Sequence, residues 1–110
     1  MKQFKGRTAV ITGAASGFGL EASRIAAREG MNVVMADVQD GALQTAAAEI
    51  RGLASAHGAG VLAHRVDVRQ GAEVGSLRDA ALAAFGVPHL LFNNAGVGAG
   101  GLIWEHSEKD

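Results

Sequence analysis

The stretch that decides the fold is Thr8–Gly19, TAVITGAASGFG, in which a short apolar segment runs directly into a loop with three glycines. Its first part, Thr8–Thr12, is rich in β-branched residues and is ended by a glycine, which is typical of a buried strand. The residues after the loop, LEASRIAARE, have helical composition and stop at Gly30, a residue type common at helix C-termini. The sequence therefore predicts a strand, a glycine loop and a helix in that order.

The alternation of strand and helix continues along the chain. Three more short apolar segments predict strands at Asn32–Ala36, Val61–Val66 and His89–Phe92. Helical spacing of apolar residues separates these strands, and it is carried by Leu43, Ala47, Ile50 and Ala54 in one segment and by Val74, Leu77, Ala81 and Phe85 in the next. Asp40 is the predicted N-cap of the first of these two helices.

This alternation favours a parallel sheet covered by helices on both faces. Because crossovers between parallel strands are right-handed, the topology is restricted to a doubly wound fold. We therefore predict an α/β architecture of Rossmann type, in three αβα layers, with the strand order 3-2-1-4. Ligands bind such sheets outside the carboxyl ends of the strands, where the strand order reverses. Gly13, Asp37, Asp67 and Asn94 each follow a predicted strand end and should converge there.

Composition limits the classes of function. The chain has 110 residues, enough for one small domain, and a net charge of −1 without a block of like charge, which argues against nucleic-acid or membrane-surface partners. Cysteine is absent and the four histidines lack metal-ligand spacing, so no metal site is predicted. No segment has the apolar length of a signal peptide or a membrane span, so we expect a cytoplasmic protein.

The glycine loop has the properties of a phosphate-binding turn. Gly13 can make the tight turn out of the strand, Gly17 lets the backbone approach a phosphate without an intervening Cβ, and Gly19 allows the helix to pack close to the sheet. The helix N-terminus offers free N–H groups and partial positive charge, and Ser16 adds a hydroxyl. With Phe18, which stands between the last two glycines, these residues form a predicted pyrophosphate site.

An acidic residue after the second strand is placed to bind a sugar next to that phosphate. Asp37 follows Gly17 by 20 residues, the spacing of the acid that binds ribose hydroxyls in dinucleotide sites. A carboxylate there repels a 2′-phosphate. The loop has Ser16 and the position after the acid has Val38, where an Arg or Lys could otherwise meet that phosphate. The predicted cofactor is therefore NAD rather than NADP.

Three motifs occur in one order along the chain: TGAASGFG at Thr12–Gly19, DV at Asp67–Val68 and NNAG at Asn93–Gly96. Together they resemble the short-chain dehydrogenase/reductase family over nearly the whole chain. The resemblance implies an NAD(P)-dependent oxidoreductase that transfers hydride between the nicotinamide and an alcohol or carbonyl substrate. It is compatible with a homo-oligomer.

The resemblance also implies roles for residues that spacing alone does not assign. Asp67 and the backbone of Val68 would contact the adenine. Asn94, with its neighbours Ala95 and Gly96, would line the ribose of the cofactor and support the centre of the sheet.

The catalytic residues implied by the resemblance have no counterpart in this sequence. Family members use a Ser and a Tyr-x-x-x-Lys pair, in which the Tyr is the general acid or base; this chain has no tyrosine. We therefore expect residues 1–110 to form a single NAD-binding domain that stops before the catalytic half and is inactive alone. The S-x-x-D pattern of Ser107–Asp110 is typical of a helix start and agrees with truncation. The fourth strand should then be an unpaired edge.

Two other functions fit parts of the pattern. One is a non-catalytic dinucleotide-binding module that is complete at this length. The other is a domain of the S-adenosylmethionine-dependent methyltransferase type, which also has a glycine-rich loop and a ribose-binding acid. S-adenosylmethionine has no phosphate to place at the helix N-terminus, which makes the second alternative a poorer fit to the loop at Thr12–Gly19.

Overall fold

Strands and helices alternate along the chain in the computed structural model, which describes residues 4–67, 71–93 and 101–104. The elements are β1 (Thr8–Thr12), α1 (Gly17–Arg28), β2 (Asn32–Asp37), α2 (Asp40–Ser55), β3 (Val61–Arg65), α3 (Gly71–Phe85), β4 (Leu90–Asn93) and β5 (Gly101–Trp104).

The strands form one sheet in the order β3-β2-β1-β4-β5. β1 pairs in parallel with β2 and with β4, and β2 pairs in parallel with β3. The predicted α/β fold with the strand order 3-2-1-4 is therefore confirmed. The carboxyl ends of β1, β2, β3 and β4 lie along one side of the sheet, which we call the carboxyl edge. The strand order reverses between β1 and β4 at this edge.

The expectation that the fourth strand is an unpaired edge is wrong. β5 pairs with β4 in antiparallel orientation, with Leu90 opposite Trp104 and Asn93 opposite Gly101. The segment that forms β5 is only four residues long and follows a glycine-rich stretch, so its sequence has no recognisable strand period. Its pairing depends on a reversal of the chain that local pattern does not encode.

Side chains of β2 alternate between two apolar clusters, one on each face of the sheet. Val33 and Met35 pack with buried residues of α1 and α2, whereas Val34 and Ala36 pack with residues of α3. β1 is buried along its whole length. The helices therefore cover both faces in three layers, with α1 and α2 on one face and α3 on the other.

The end of α1 follows the sequence-based prediction. Gly30 has a φ of +82°, which glycine adopts without strain. The N–H of Gly30 donates to the carbonyl of Ala27 at 3.0 Å, and the N–H of Met31 donates to the carbonyl of Ala26 at 3.1 Å. This pair of hydrogen bonds satisfies the last carbonyls of the helix and directs the chain into β2.

The start of α2 differs from the prediction that Asp40 is its N-cap. The helix begins at Asp40, and Gln39 occupies the N-cap position without a side-chain cap hydrogen bond. The N–H of Gln39 donates instead to Oδ1 of Asp37 at 3.0 Å. Asp37 therefore stabilises this turn, while the charge of Asp40 lies in the first helical turn, where the helix dipole favours it.

Arg24 joins α1 to α2 at the surface. Its Nε donates to Oε2 of Glu49 at 2.6 Å, and its Nη1 donates to Oε1 of Glu21 at 3.0 Å. The hydrogen bond from Arg24 holds the pKa of the Glu49 carboxyl below its ordinary value. The ion pair thus links the two helices that cover the same face of the sheet.

Candidate functional site

Two glycines between β1 and α1 have a backbone conformation that favours glycine. Gly13 has a φ of +63° and Gly17 a φ of +59°, both in the left-handed region where a Cβ is strained. Between them, the N–H of Ala14 donates to the carbonyl of Ala36 at 3.0 Å, which attaches the loop to the end of β2. The glycine loop therefore lies at the carboxyl edge, next to the strand reversal.

Gly17 and Gly19 differ in the space around them. A Cβ added to Gly17 would meet no described atom within 4 Å, so this side of the loop is open. A Cβ on Gly19 would lie 2.0 Å from the carbonyl oxygen of Gly13 and 2.6 Å from its carbonyl carbon. Gly19 thus allows the first turn of α1 to pack against the loop backbone, whereas Gly17 leaves room for a ligand.

The N-terminus of α1 faces this open side without a side-chain cap. Ser16 is the N-cap, with extended φ and ψ of −160° and 171°, and its side chain forms no cap hydrogen bond. The first turn contains no acidic residue. Since the first N–H groups of a helix have no acceptor within it, the geometry suits an anionic group. Phe18 is 79% exposed beside these groups.

Asp37 connects the glycine loop to the start of α2. It is the last residue of β2 and is half-buried. Its Oδ2 accepts the N–H of Ala15 at 3.0 Å, and its Oδ1 accepts the N–H of Gln39 at 3.0 Å. Each carboxylate oxygen can accept a second hydrogen bond. The carboxylate is therefore held in place beside the loop and can still accept hydrogen bonds from a ligand.

The turn after β3 is held by an acid that the sequence analysis did not single out. The N–H of Val66 donates to the carbonyl of Asp37 at 3.0 Å, which brings the following residue, Asp67, to the carboxyl edge. The N–H of Asp67 donates to Oε1 of Glu73 at 2.7 Å. Glu73 lies in the first turn of α3. An acid at a predicted helix start is a signal that could have identified it.

Replacement of Glu73 by alanine is expected to lower the free energy of unfolding by about 1–3 kcal/mol, because a partly buried N–H loses a charged acceptor. Denaturant unfolding checks this result. The matched control is Asp79→Ala, which removes an exposed acid from the same helix and should change stability by less than about 0.5 kcal/mol. Equal effects of the two substitutions would count against the role of Glu73.

Arg65 is a second residue that the sequence analysis missed. It is the last residue of β3 and stands in register with Asp37 on β2. Its Nε donates to the carbonyl of Val38 at 3.1 Å. From the sequence, a cation was expected only in the loop or at the position after Asp37. Counting register along two predicted neighbouring strands could have found Arg65, but register is not encoded by either strand alone.

Four of the predicted site residues, Val68, Asn94, Ala95 and Gly96, lie outside the described residues. The described chain reaches the same edge just before them, since Asn93 at the end of β4 pairs with Thr12 at the end of β1.

The described part of the chain shows neither a group of metal-binding side chains nor a membrane-spanning helix. Residues 4–67, 71–93 and 101–104 contain no group of three or more His, Cys, Asp or Glu side chains that could hold a metal ion. No helix formed by these residues is long and apolar enough to cross a membrane.

Comparison with known protein families gives a match over almost the whole chain. The family model described as short chain dehydrogenase matches residues 7–110. A curated relative, the CLA biosynthesis dehydrogenase/reductase of Lactiplantibacillus plantarum, is 38% identical over 110 residues, which is 100% of this chain and 37% of the relative. The chain thus spans about a third of the length of the curated relatives it matches.

Solved structures with the same fold contain dinucleotides. A short chain dehydrogenase/reductase from Burkholderia phymatum in complex with NAD is 54% identical, with a TM-score of 0.80, over 92% of this chain and 34% of that protein. The L-sorbose reductase of Gluconobacter frateurii, in complex with NADPH and L-sorbose, is 37% identical, with a TM-score of 0.75, over 86% of this chain and 35% of that protein.

Proposed function

This chain belongs to the short chain dehydrogenase family, and from that premise we propose that the protein is an NAD-dependent oxidoreductase that transfers hydride between the nicotinamide and an alcohol or carbonyl substrate. The observation that carries the proposal is the hydrogen bond between Oδ2 of Asp37 and the N–H of Ala15. It holds the acid that would bind the ribose directly beside the loop that would bind the phosphates, and a dinucleotide requires this arrangement.

The pyrophosphate would bind at the N-terminus of α1. Gly17 is open on the side where a Cβ would otherwise project, so the backbone can approach the phosphates closely. Ser16 can donate its hydroxyl, because that hydroxyl does not cap the helix. The helix dipole adds a favourable interaction with the negative charge. The loop would therefore bind and orient the middle of the cofactor.

The adenosine ribose would bind at Asp37. Its two oxygens already accept backbone N–H groups, so the carboxylate is oriented before the ligand arrives. Its remaining lone pairs would accept the ribose hydroxyls, and its charge would repel a 2′-phosphate. This is why we propose NAD over NADP, although structural relatives of this chain bind either.

The remaining contacts to the cofactor are proposed from the family pattern. Asp67 and the backbone of Val68 would contact the adenine, and Asn94, Ala95 and Gly96 would line the ribose. The chain contains no tyrosine, so we propose that residues 1–110 are the cofactor-binding part of the protein. A bound nicotinamide supplies or accepts the hydride, and the residues at the carboxyl edge would bind and orient the dinucleotide.

Replacement of Asp37 by alanine tests this proposal. We expect NAD affinity to fall about ten- to hundredfold, because hydrogen bonds to a charged acceptor are lost. We also expect the ratio of NAD affinity to NADP affinity to decrease, because the charge that repels the 2′-phosphate is removed. Calorimetric titration of the protein expressed from its complete natural reading frame measures both affinities. Glu29→Ala is the charge-matched control, since Glu29 is exposed at the opposite end of α1. Unchanged NAD affinity in Asp37→Ala would falsify the role of this residue.

The same preparation separates the alternative functions. Turnover of alcohols with NAD supports the oxidoreductase. NAD binding without turnover of any alcohol or carbonyl compound supports a non-catalytic dinucleotide-binding module. Binding of S-adenosylmethionine in place of NAD supports a domain of the methyltransferase type.

A further inference from the structure

Arg65 lies beside Asp37 on the same face of the sheet. Asp37 and Arg65 are register partners on the parallel strands β2 and β3, two residues after the pair formed by Met35 and Ala63. Met35 belongs to the apolar cluster under α1 and α2, and Ala63 packs against that cluster. Because side chains two residues apart in a strand point to the same face, Asp37 and Arg65 share that face at the carboxyl edge.

The guanidinium of Arg65 is attached to the turn that follows Asp37. Its Nε donates to the carbonyl of Val38 at 3.1 Å, and its side chain is exposed. A guanidinium has five N–H donors, and this hydrogen bond uses one. The two terminal NH₂ groups are not needed for the attachment. They are the part of the side chain that can bind a phosphate in a bidentate manner, through two parallel hydrogen bonds.

Arg65 does not form an ion pair with the neighbouring Asp37. The ion pairs between described residues join Arg24 to Glu21 and to Glu49, and neither includes Arg65 or Asp37. One anionic and one cationic side chain therefore stand next to each other at the position where the adenosine ribose would bind. A group attached to that ribose would interact with both charges.

We propose that Arg65 is a specificity-determining residue of the cofactor site, which supplies the cation that a 2′-phosphate on the adenosine ribose would contact. This inference rests on the proposed dinucleotide function. It changes the explanation of the preference for NAD. A cation is present beside the site, so the absence of a cation is not what disfavours NADP. Repulsion by Asp37 alone excludes the 2′-phosphate, and removal of that carboxylate uncovers a phosphate-binding arginine from the neighbouring strand.

A double-mutant cycle tests the proposal in the protein expressed from its complete natural reading frame. The variants are Asp37→Ser, Arg65→Gln and both together, and the measurements are the dissociation constants of NAD and NADP by calorimetry. Serine keeps a small acceptor beside the N–H of Ala15. Asp37→Ser should bind NADP about tenfold or more tightly than the wild-type protein does, and the double variant should lose this gain. Arg65→Gln alone should weaken NADP while NAD affinity changes little.

Charge and position are separated by two further variants. Arg65→Lys in the Asp37→Ser background should keep part of the NADP gain, and raised salt should reduce that gain because it screens an exposed charge. Arg78→Gln is the control, since it removes an exposed cation from α3 on the other face. It should leave the ratio of NADP to NAD affinity unchanged.

The outcomes are distinct. If the double variant binds NADP as tightly as Asp37→Ser does, or if Asp37→Ser gains no NADP affinity, Arg65 does not contact the 2′-phosphate. If Arg65→Gln weakens NAD and NADP equally, Arg65 only holds the carbonyl of Val38, and the inference is overturned. If the wild-type protein binds neither dinucleotide, the proposed function itself fails. Should Asp37→Ser not fold, the NADP-to-NAD affinity ratio of Arg65→Gln against wild type decides the question.

Discussion

Gly19→Ala is expected to abolish measurable dinucleotide binding and to lower the free energy of unfolding by about 1–3 kcal/mol or more, because the added Cβ overlaps a rigid backbone. That Cβ would lie 2.0 Å from the carbonyl oxygen of Gly13 and 3.0 Å from Cα of Ala14. No rotation of a side chain can relieve this contact. Either the loop or the first turn of α1 must move, and both form the proposed phosphate site.

Gly52→Ala is the matched control for this substitution. Gly52 lies inside α2, and a Cβ there would meet no described atom within 4 Å. Since alanine is a better helix former than glycine, this control should raise the free energy of unfolding by about 0.5–1 kcal/mol. Opposite signs for the two variants in denaturant unfolding are the expected result. A Gly19→Ala protein as stable as the Gly52→Ala protein, with NAD affinity intact, would contradict the close packing of helix on loop.

Ile11→Ala is expected to destabilise the protein by about 2–5 kcal/mol, the range for deletion of a large apolar side chain from a core. Ile11 is 1% exposed in the central strand of the sheet. It stands in register with Met35 on β2 and with Phe92 on β4, and it belongs to the cluster under α1 and α2. The cavity would lie at the centre of the sheet, where neighbours on both sides are held by strand pairing.

The control for Ile11 removes the same atoms from a surface position. Ile25 on α1 is 53% exposed, so Ile25→Ala should change the free energy of unfolding by less than about 1 kcal/mol. Denaturant unfolding of both variants, with and without NAD, measures the difference. Saturating NAD should recover part of the stability lost in Ile11→Ala, because a ligand that binds only the folded state stabilises it by mass action. Similar losses in the two variants would show that Ile11 is not a core residue.

Much of the fold could be predicted because it is encoded locally. The apolar run Thr8–Thr12 and the two later runs that became β2 and β3 have lengths and flanking glycines typical of buried strands, and right-handed crossovers then leave few strand orders. Gly30 could be assigned to a helix end because a left-handed turn there needs glycine. By contrast, β5 could not be predicted, since its four residues form a strand only by pairing with β4.

The candidate site likewise has features that the local sequence predicts and features that depend on the tertiary structure. The glycine loop and Asp37 were found from spacing, because the strand–loop–helix–strand unit places them at one edge whatever the rest of the chain does. The attachment of Asp37 to the N–H of Ala15, and of Arg65 to the carbonyl of Val38, could not be found that way. Both depend on which residues of separate segments become neighbours.

The sequence by itself determined the order of strands and helices as far as β4, the edge of the sheet at which we propose that a ligand binds, and the residue types that could hold a dinucleotide there. Periodicity and glycine placement carry this information because they act over a few residues. Only the tertiary structure decided the register of β2 against β3, which puts Arg65 next to Asp37, and the contact that forbids a side chain at Gly19. Register and contact follow from the packing of the two apolar clusters, a property of the whole sheet that no single segment contains.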